Sequence, residues 1–218
     1  MGTRTLILAI ALVALGLVAS TATLLSLRDE PVPGPLTPDP GFEALRIPDF
    51  QLIDQDSRPV DASVFDGKVT ILSFFFSHCI TVCPALQGKV AELYGELDGT
   101  KVQFVSISVD PEHDTPEAMR EYAERMGADG KRWRFLTGDR ATIERIVMEG
   151  VQFEVGEDTS PDGRIELPGG GEMANIMHPS RLFLIGPDRV VLGTSGYRFQ
   201  QEVDAFTKRA AAAARKAR

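Results

Sequence analysis

Hydrophobic positions change period several times along this chain, and each change marks an element. From Leu6 to Leu27 no charged residue occurs, and Leu, Ile, Val and Ala dominate. These 22 residues would rise about 33 Å as a helix, enough to cross a bilayer core of about 30 Å. Val69–Phe76 (VTILSFFF) is also continuously apolar, but only of strand length. It predicts a buried central strand. In Pro84–Leu97 the apolar residues Leu86, Val90, Leu93 and Leu97 recur at spacings of four, three and four, which is one helix face. Pro84 suits the first turn, where no N–H is needed.

Val102–Val109 alternates apolar and small polar residues and predicts a second strand. Thr115 reads as a helix N-cap with Pro116 at the first helical position, and Ala118, Tyr122 and Met126 continue that helix to Gly127. Trp133–Leu136 predicts a short strand, Asp139 a cap for a helix to about Glu149, and Val151–Val155 another strand. Gly156–Met173 is polar and glycine-rich and reads as a mobile loop or hairpin tip. Arg181–Ile185 and Val190–Gly193 flank Gly186-Pro187-Asp188 and predict a β-hairpin, followed by a last short helix from near Gln200. The β-α-β start and hairpin end predict an α/β fold with a mixed central sheet, for which a thioredoxin-like arrangement is the natural candidate.

The boundaries follow. Residues 1–28 form the membrane anchor, 29–45 a Pro-rich linker, 46–206 the thioredoxin-like domain and 207–218 a basic, Ala-rich tail. The linker holds five prolines between Pro31 and Pro40 and reads as a stiff spacer of about 3 Å per residue. The stretch Lys208–Arg218 reads as a frayed or surface helix, a solvated tail. Arg4 precedes the apolar span while Asp29 and Glu30 follow Arg28. The short tail therefore faces the cytoplasm and the domain faces out. A cleaved signal peptide ending near Val18-Ala19-Ser20 is the other reading of the span, and it exports the domain too. Leu6 stands where a myristoylation motif needs Ser or Thr. No Arg-rich transit peptide precedes the span. The expected place is a single pass through the cytoplasmic (inner) membrane, with the domain in the periplasm.

Composition adds little until charge is considered. Hydrophobic residues are 43% and charged residues 25% of 218, ordinary for a globular chain. The net charge is −8, although 206–218 holds five basic and no acidic residues, so the remainder carries −13. An acidic body of this kind excludes nucleic acid as a partner, because phosphate contacts need clustered Lys and Arg. It suits a cationic metal or a basic protein better.

The chain has two cysteines, Cys79 and Cys83, within SHCITVCP (Ser77–Pro84). A pair so close closes almost no loop, so a reactive or metal-binding pair is expected rather than a structural staple. The segment lies where a buried strand hands over to a helix, and free backbone N–H groups there stabilise thiolates. If the turn from Cys79 to Cys83 is helical, both side chains share a face, with Cβ atoms about 5–6 Å apart. That geometry allows either a shared metal or a disulfide. Three histidines are available. His78 adjoins Cys79 but points to the other face as a strand-end neighbour. His113 reads as a solvent-facing loop residue. His178 precedes a strand that could return beside the Val69 strand, though a single distant histidine is more often structural. Two thiolates and one imidazole would suit Cu(I), and with a further ligand Cu(II) or Zn(II). Met173 and Met177 offer thioethers and otherwise read as packing residues. Asp110 and Asp114 read as turn and capping residues, with orientation of the cysteine loop as the alternative.

Four ordered segments together resemble the Sco/SenC family of copper-binding assembly factors: FFFSHCITVCP (Phe74–Pro84), VSISVDPEHDTPE (Val105–Glu117), FLTG (Phe135–Gly138) and MHPSRLFLIGPD (Met177–Asp188). The resemblance spans roughly Ile47 to Phe206. It implies a thioredoxin-like fold and Cys79, Cys83 and His178 as copper ligands. It also implies the role of a copper chaperone in assembling the dinuclear copper centre of cytochrome c oxidase subunit II. Three positions depart from the family's pattern: Ile80 where many members have Pro, Met177-His178-Pro179 where many have Asp-His-Ser, and Gly186 where Asp is frequent. They bear on loop geometry, metal affinity and client. The alternative function is a thiol–disulfide oxidoreductase that uses Cys79 and Cys83 as a redox pair on a partner protein. A peroxiredoxin-type peroxidase fits worse, because Val82 and Ile80 occupy the places that a peroxidatic motif gives to other residues.

Overall fold

The computed structural model describes residues 2, 12–17, 20, 34–80, 82–160, 163–167 and 170–217. Two compact units result, Met1–Pro33 and Gly34–Arg218. In the first, residues 12–17 are helical with exposed side chains. The span expected over Leu6–Leu27 lies mostly outside the described residues. Among the described residues no helix is long and apolar enough to cross a membrane.

The second unit is built on a mixed seven-stranded sheet of the thioredoxin-like kind, ordered β11-β10-β3-β4-β5-β1-β2. Its strands are β1 (Gln51–Asp54), β2 (Pro59–Asp61), β3 (Thr70–Phe75), β4 (Gln103–Ser108), β5 (Trp133–Thr137), β10 (Leu182–Ile185) and β11 (Val191–Ser195). β3, β4 and β5 run parallel, and the hairpin β10–β11 and the pair β1–β2 close the two sides antiparallel. Every residue of β3 and β4 is buried. This explains the unbroken apolar run of β3, since helices cover both faces of a parallel sheet. The small polar residues of β4 face the interior as well. Ser73 and Ser106 bond to each other at 2.8 Å, Gln87 donates to Ser73 at 3.1 Å, and Trp133 Nε1 donates to Ser106 at 3.0 Å. The network ties three strands to the helix above them, and each of its four side chains has a partner.

That helix, α1 (Cys83–Glu96), buries Leu86, Val90 and Leu93 as the spacing requires. In α2 (Pro116–Arg125) the Thr115 hydroxyl accepts from the Ala118 N–H, and Met119, Tyr122 and Ala123 are the buried residues. Of the three residues read as continuing this helix, Tyr122 is buried and Met126 packs against the core, and Met119 and Ala123 complete an i, i+3, i+4 stripe. Helix α3 (Arg140–Arg145) starts at an Asp139 cap and runs into a π-helical turn, Ile146–Gly150. The strand expected at Val151–Val155 does not form. Gln152 takes a positive φ of 56°, and the Phe153 N–H donates back to the Val147 carbonyl at 3.3 Å, so the segment finishes the π turn instead of meeting a sheet edge. The glycine-rich stretch carries β6 (Gly156–Glu157), and β7 (Arg164–Glu166) pairs with β8 (Glu172–Ala174) as a hairpin.

Two boundaries are corrected. The last helix, α4, is long, running from Gln200 to Lys216, and buries Ala210, Ala213 and Ala214 together with Val203 and Phe206. Residues beyond Phe206 therefore belong to the domain rather than to a solvated tail. Residues 34–45 are likewise docked rather than spacer. Asp39 N–H donates to the Leu192 carbonyl at 2.8 Å, Leu45 is buried, and Val191 N–H donates to the Leu45 carbonyl at 2.9 Å. Arg209 on α4 holds them by donating to the Asp39 carboxylate at 2.7 Å and to the Thr37 carbonyl at 2.6 Å.

Candidate metal centre

Both cysteines lie at the carboxyl end of β3, where open α/β sheets place their binding crevices. The strand delivers Phe74, Phe75 and Phe76 into the core and then turns. The turn is held from the neighbouring strand end: Ser77 N–H donates to both oxygens of Asp114 at 3.3 and 3.1 Å, and the Ser108 hydroxyl donates to the same carboxylate. Asp114 is wholly buried, and burial pushes its carboxyl above the ordinary range. Cys79 N–H closes the turn onto the Phe76 carbonyl at 3.3 Å. Helix α1 begins at Cys83, so the two cysteines are not one turn apart on a helix face as the spacing suggested. A loop brings them together instead, and the Cys83 N–H points at Cys79 Sγ from 3.4 Å. Both are buried and neither is in a disulfide.

The backbone at the helix start therefore serves the Cys79 sulfur. The Cys83 thiol goes the other way. Its hydrogen bond with Cys79, and then burial, push it far above the ordinary thiol range. A raised thiol of this kind favours its proton, which a bound cation displaces.

His178 arrives from the opposite side. β9 (Ile176–Met177) pairs with β6 over two residues, Gly156 with Met177 and Glu157 with Ile176. β10 then runs antiparallel to β3, with Phe183 opposite Leu72, so the residues before β10 come to the carboxyl end of β3. His178 Nε2 sits 3.2 Å from Cys83 Sγ, and Nδ1 lies 3.2 Å from the Pro179 carbonyl. With the proton on Nδ1 donated to that carbonyl, Nε2 offers its lone pair to the cysteines. The ring stands edge-on to Phe76, with centroids 5.7 Å apart.

The two sulfurs and one imidazole nitrogen all lie within 4.8 Å of one another. Metal–ligand bonds of about 2.0–2.3 Å leave three trigonal ligand atoms about 3.5–4 Å apart. A small contraction around an ion is enough, and the soft donor set fits Cu(I). A cavity of about 250 Å³ reaches Cys79 and His178 from outside, with Val82 and Met177 on its wall. Ser77, Ser108 and Phe76 position the trio; they lie within the segments that carry the family resemblance, but serine and phenylalanine at strand ends do not by themselves announce that role.

The remaining candidates separate cleanly. His78 and His113 stack edge-to-face at 5.4 Å, outside the trio. His113 is held by the Asp110 carboxylate at 2.8 Å, so it is a paired residue rather than a free solvent-facing one. Asp114 holds the cysteine loop, and orientation is its role beyond the turn expected of it. Met173 is buried at 9% exposure, whereas Met177 is 58% exposed, so only the first is a packing residue.

The SCO1/SenC family model matches residues 39–213. The chain is 29% identical over 146 residues to the SCO1 protein homolog of Bacillus subtilis (strain 168), covering 66% of this chain and 69% of that protein. Among solved structures it is similar to Bradyrhizobium japonicum ScoI with copper bound, at 25% identity and a TM-score of 0.57, over 80% of this chain and 100% of that one. It is also similar to Arabidopsis thaliana ScoI with copper bound, at 26% identity and a TM-score of 0.58, over 74% of this chain and 96% of that one.

Proposed function

The chain belongs to the SCO1/SenC family, and from that premise we propose that it is a copper chaperone that binds one ion through Cys79, Cys83 and His178. The observation that carries this reading is the convergence of two thiols and one imidazole to within 4.8 Å beneath an open cavity. The client implied by the family resemblance is the dinuclear copper centre of cytochrome c oxidase subunit II. The N-terminal apolar span tethers the domain to the inner membrane, with the site on the periplasmic side.

The geometry supports a stepwise exchange. Cu(I) displaces the thiol protons, and the His178 imidazole completes a three-coordinate site. Because the site is reached through a cavity rather than sealed, an acceptor thiolate or imidazole can enter before the chaperone's ligands leave. No bond of a substrate changes, so delivery needs no turnover.

A second reading is favoured by one contact. Cys83 N–H points at Cys79 Sγ from 3.4 Å, which brings the two residues close enough for them to serve as a redox pair toward a partner's cysteines. Anaerobic titration of the reduced protein with Cu(I) against a competing chelator separates the readings. One retained equivalent is the expected result. No retained copper, together with ready reduction of a small disulfide, would assign the pair to thiol–disulfide exchange.

A further inference from the structure

Met177 is the largest exposed apolar side chain lining the mouth of the cavity that reaches Cys79 and His178. Its ladder partner is Gly156, which has no side chain to cover it. A Cβ built on that glycine would only just touch the Met177 methyl, at 4.0 Å. Ile176, its neighbour on the same two-residue strand, turns the other way and is buried. The chain thus places an exposed, flexible side chain on the wall of the cavity that reaches Cys79 and His178, where burial gives it little stabilisation. A thioether is a soft donor that selects Cu(I), carries no charge and needs no deprotonation.

The three ligands already assigned differ in access. Cys83 is fully buried, Cys79 is 5% exposed, and His178 is partly exposed. An ion leaving the site must part first from its deepest ligand, Cys83, and pass the mouth. Resting on the copper reading above, we propose that Met177 is a transfer ligand: its Sδ bonds Cu(I) at the cavity mouth as the Cys83 sulfur lets go. The step is a ligand exchange without redox change. The Cu–Sγ bond to Cys83 breaks, the Cu–Sδ bond forms, copper stays Cu(I), and the released Cys83 thiolate takes a proton from water. His178 and Cys79 hold the ion throughout, so it is never fewer than two-coordinate.

Selenomethionine labelling tests this directly, because selenium bonded to copper is distinguishable from sulfur by X-ray absorption at the copper edge. The full chain is labelled and loaded with Cu(I), and Cys83→Ser serves as a mimic of the intermediate. A copper–selenium bond is expected in Cys83→Ser and its loss in Cys83→Ser with Met177→Leu. In the otherwise intact protein, Met177→Leu is expected to slow Cu(I) transfer to a bulky chelator about 5- to 10-fold. Its equilibrium affinity is expected to stay within about 3-fold, which is under 1 kcal/mol. Absence of the copper–selenium bond in Cys83→Ser, or an unchanged transfer rate in Met177→Leu, overturns the proposal and leaves the three-ligand site standing. Failure of the unsubstituted protein to retain Cu(I) overturns the copper reading itself, and this inference with it.

Discussion

The two sides of the copper site are built to different standards of rigidity. The cysteine side grows out of β3, whose residues are all buried, and its loop is tied to a buried carboxylate by the Ser77 and Ser108 bonds. The histidine side hangs on the two-residue β6–β9 ladder and the start of β10. Local opening is cheapest where few backbone bonds and few buried contacts must be broken. In the chaperone proposed above, this asymmetry keeps the sulfurs in place without metal, while the lightly held β6–β9 side leaves the cavity wall, with Met177 on it, open to an acceptor.

The comparison is broken most strongly at the cysteines. Cys83→Ser replaces a soft donor in the rigid half, and Cu(I) affinity is expected to fall on the order of 1,000-fold, or about 4 kcal/mol. Competition with a chelator reads the change, and retention of near-normal affinity would remove Cys83 from the site. His178→Ala comes next. The loss should be about 100-fold, because the mobile half contributes one neutral ligand. Reduction of a small disulfide by the cysteine pair should survive that substitution. If copper binding also survives it, the three-ligand site is wrong.

Acidity sharpens the contrast. The Cys83 thiol is raised above its ordinary range in the metal-free fold by its hydrogen bond with Cys79 and by burial, so Cu(I) binding there should release a proton. Conditional Cu(I) affinity should therefore fall as pH falls, by about tenfold per unit for each proton released. Affinity that is flat over about two pH units around neutrality would show that no thiol proton is released on binding.

The smallest effect concerns the support of the rigid half. Burial raises the Asp114 carboxyl above 3.8, so the folded state holds that proton more tightly than the unfolded chain. The stabilisation this gives is fully present below the unfolded value and is lost as pH rises through the folded one. Asp114→Asn keeps an acceptor for Ser77 and removes the buried charge. Its stability at neutral pH should stay within about 1 kcal/mol of the parent, and its unfolding free energy should lack that acid-side change. Asp114→Ala leaves the Ser77 N–H and the Ser108 hydroxyl without an acceptor and should cost about 2–3 kcal/mol. Denaturant titrations between acid and neutral pH distinguish all three proteins.

Most of the sheet and helix order was legible in the chain, because burial on both faces leaves continuous apolar runs and amphipathic helices leave stripes. The β3 run, the α1 stripe, the Thr115 and Asp139 caps and the β10–β11 hairpin all follow from that logic. Where local pattern and tertiary contact compete, the reading slipped. Val151–Val155 has strand composition, but its Phe153 N–H is taken by the Val147 carbonyl of the preceding π turn. The alanine-rich end looked solvated, yet Ala210 and Ala213 are buried, since a small side chain says nothing of what lies over it. Residues 34–45 have the composition of a spacer, yet Arg209 holds Thr37 and Asp39 against the domain.

Two cysteines in one short loop, few histidines and a family likeness singling out His178 name the candidate donor set from the chain alone. Spacing along the chain is local, and it is enough to name the chemistry. That Cys83 and His178, 95 residues apart, meet at 3.2 Å is a result of tertiary packing. Packing also decided that His113 is paired with Asp110 and that Asp114 braces the cysteine loop. Above all it separated buried Met173 from Met177 at the mouth. Those outcomes depend on which strand lies beside which, and strand order is set by the packing of the whole sheet rather than by any single stretch of chain.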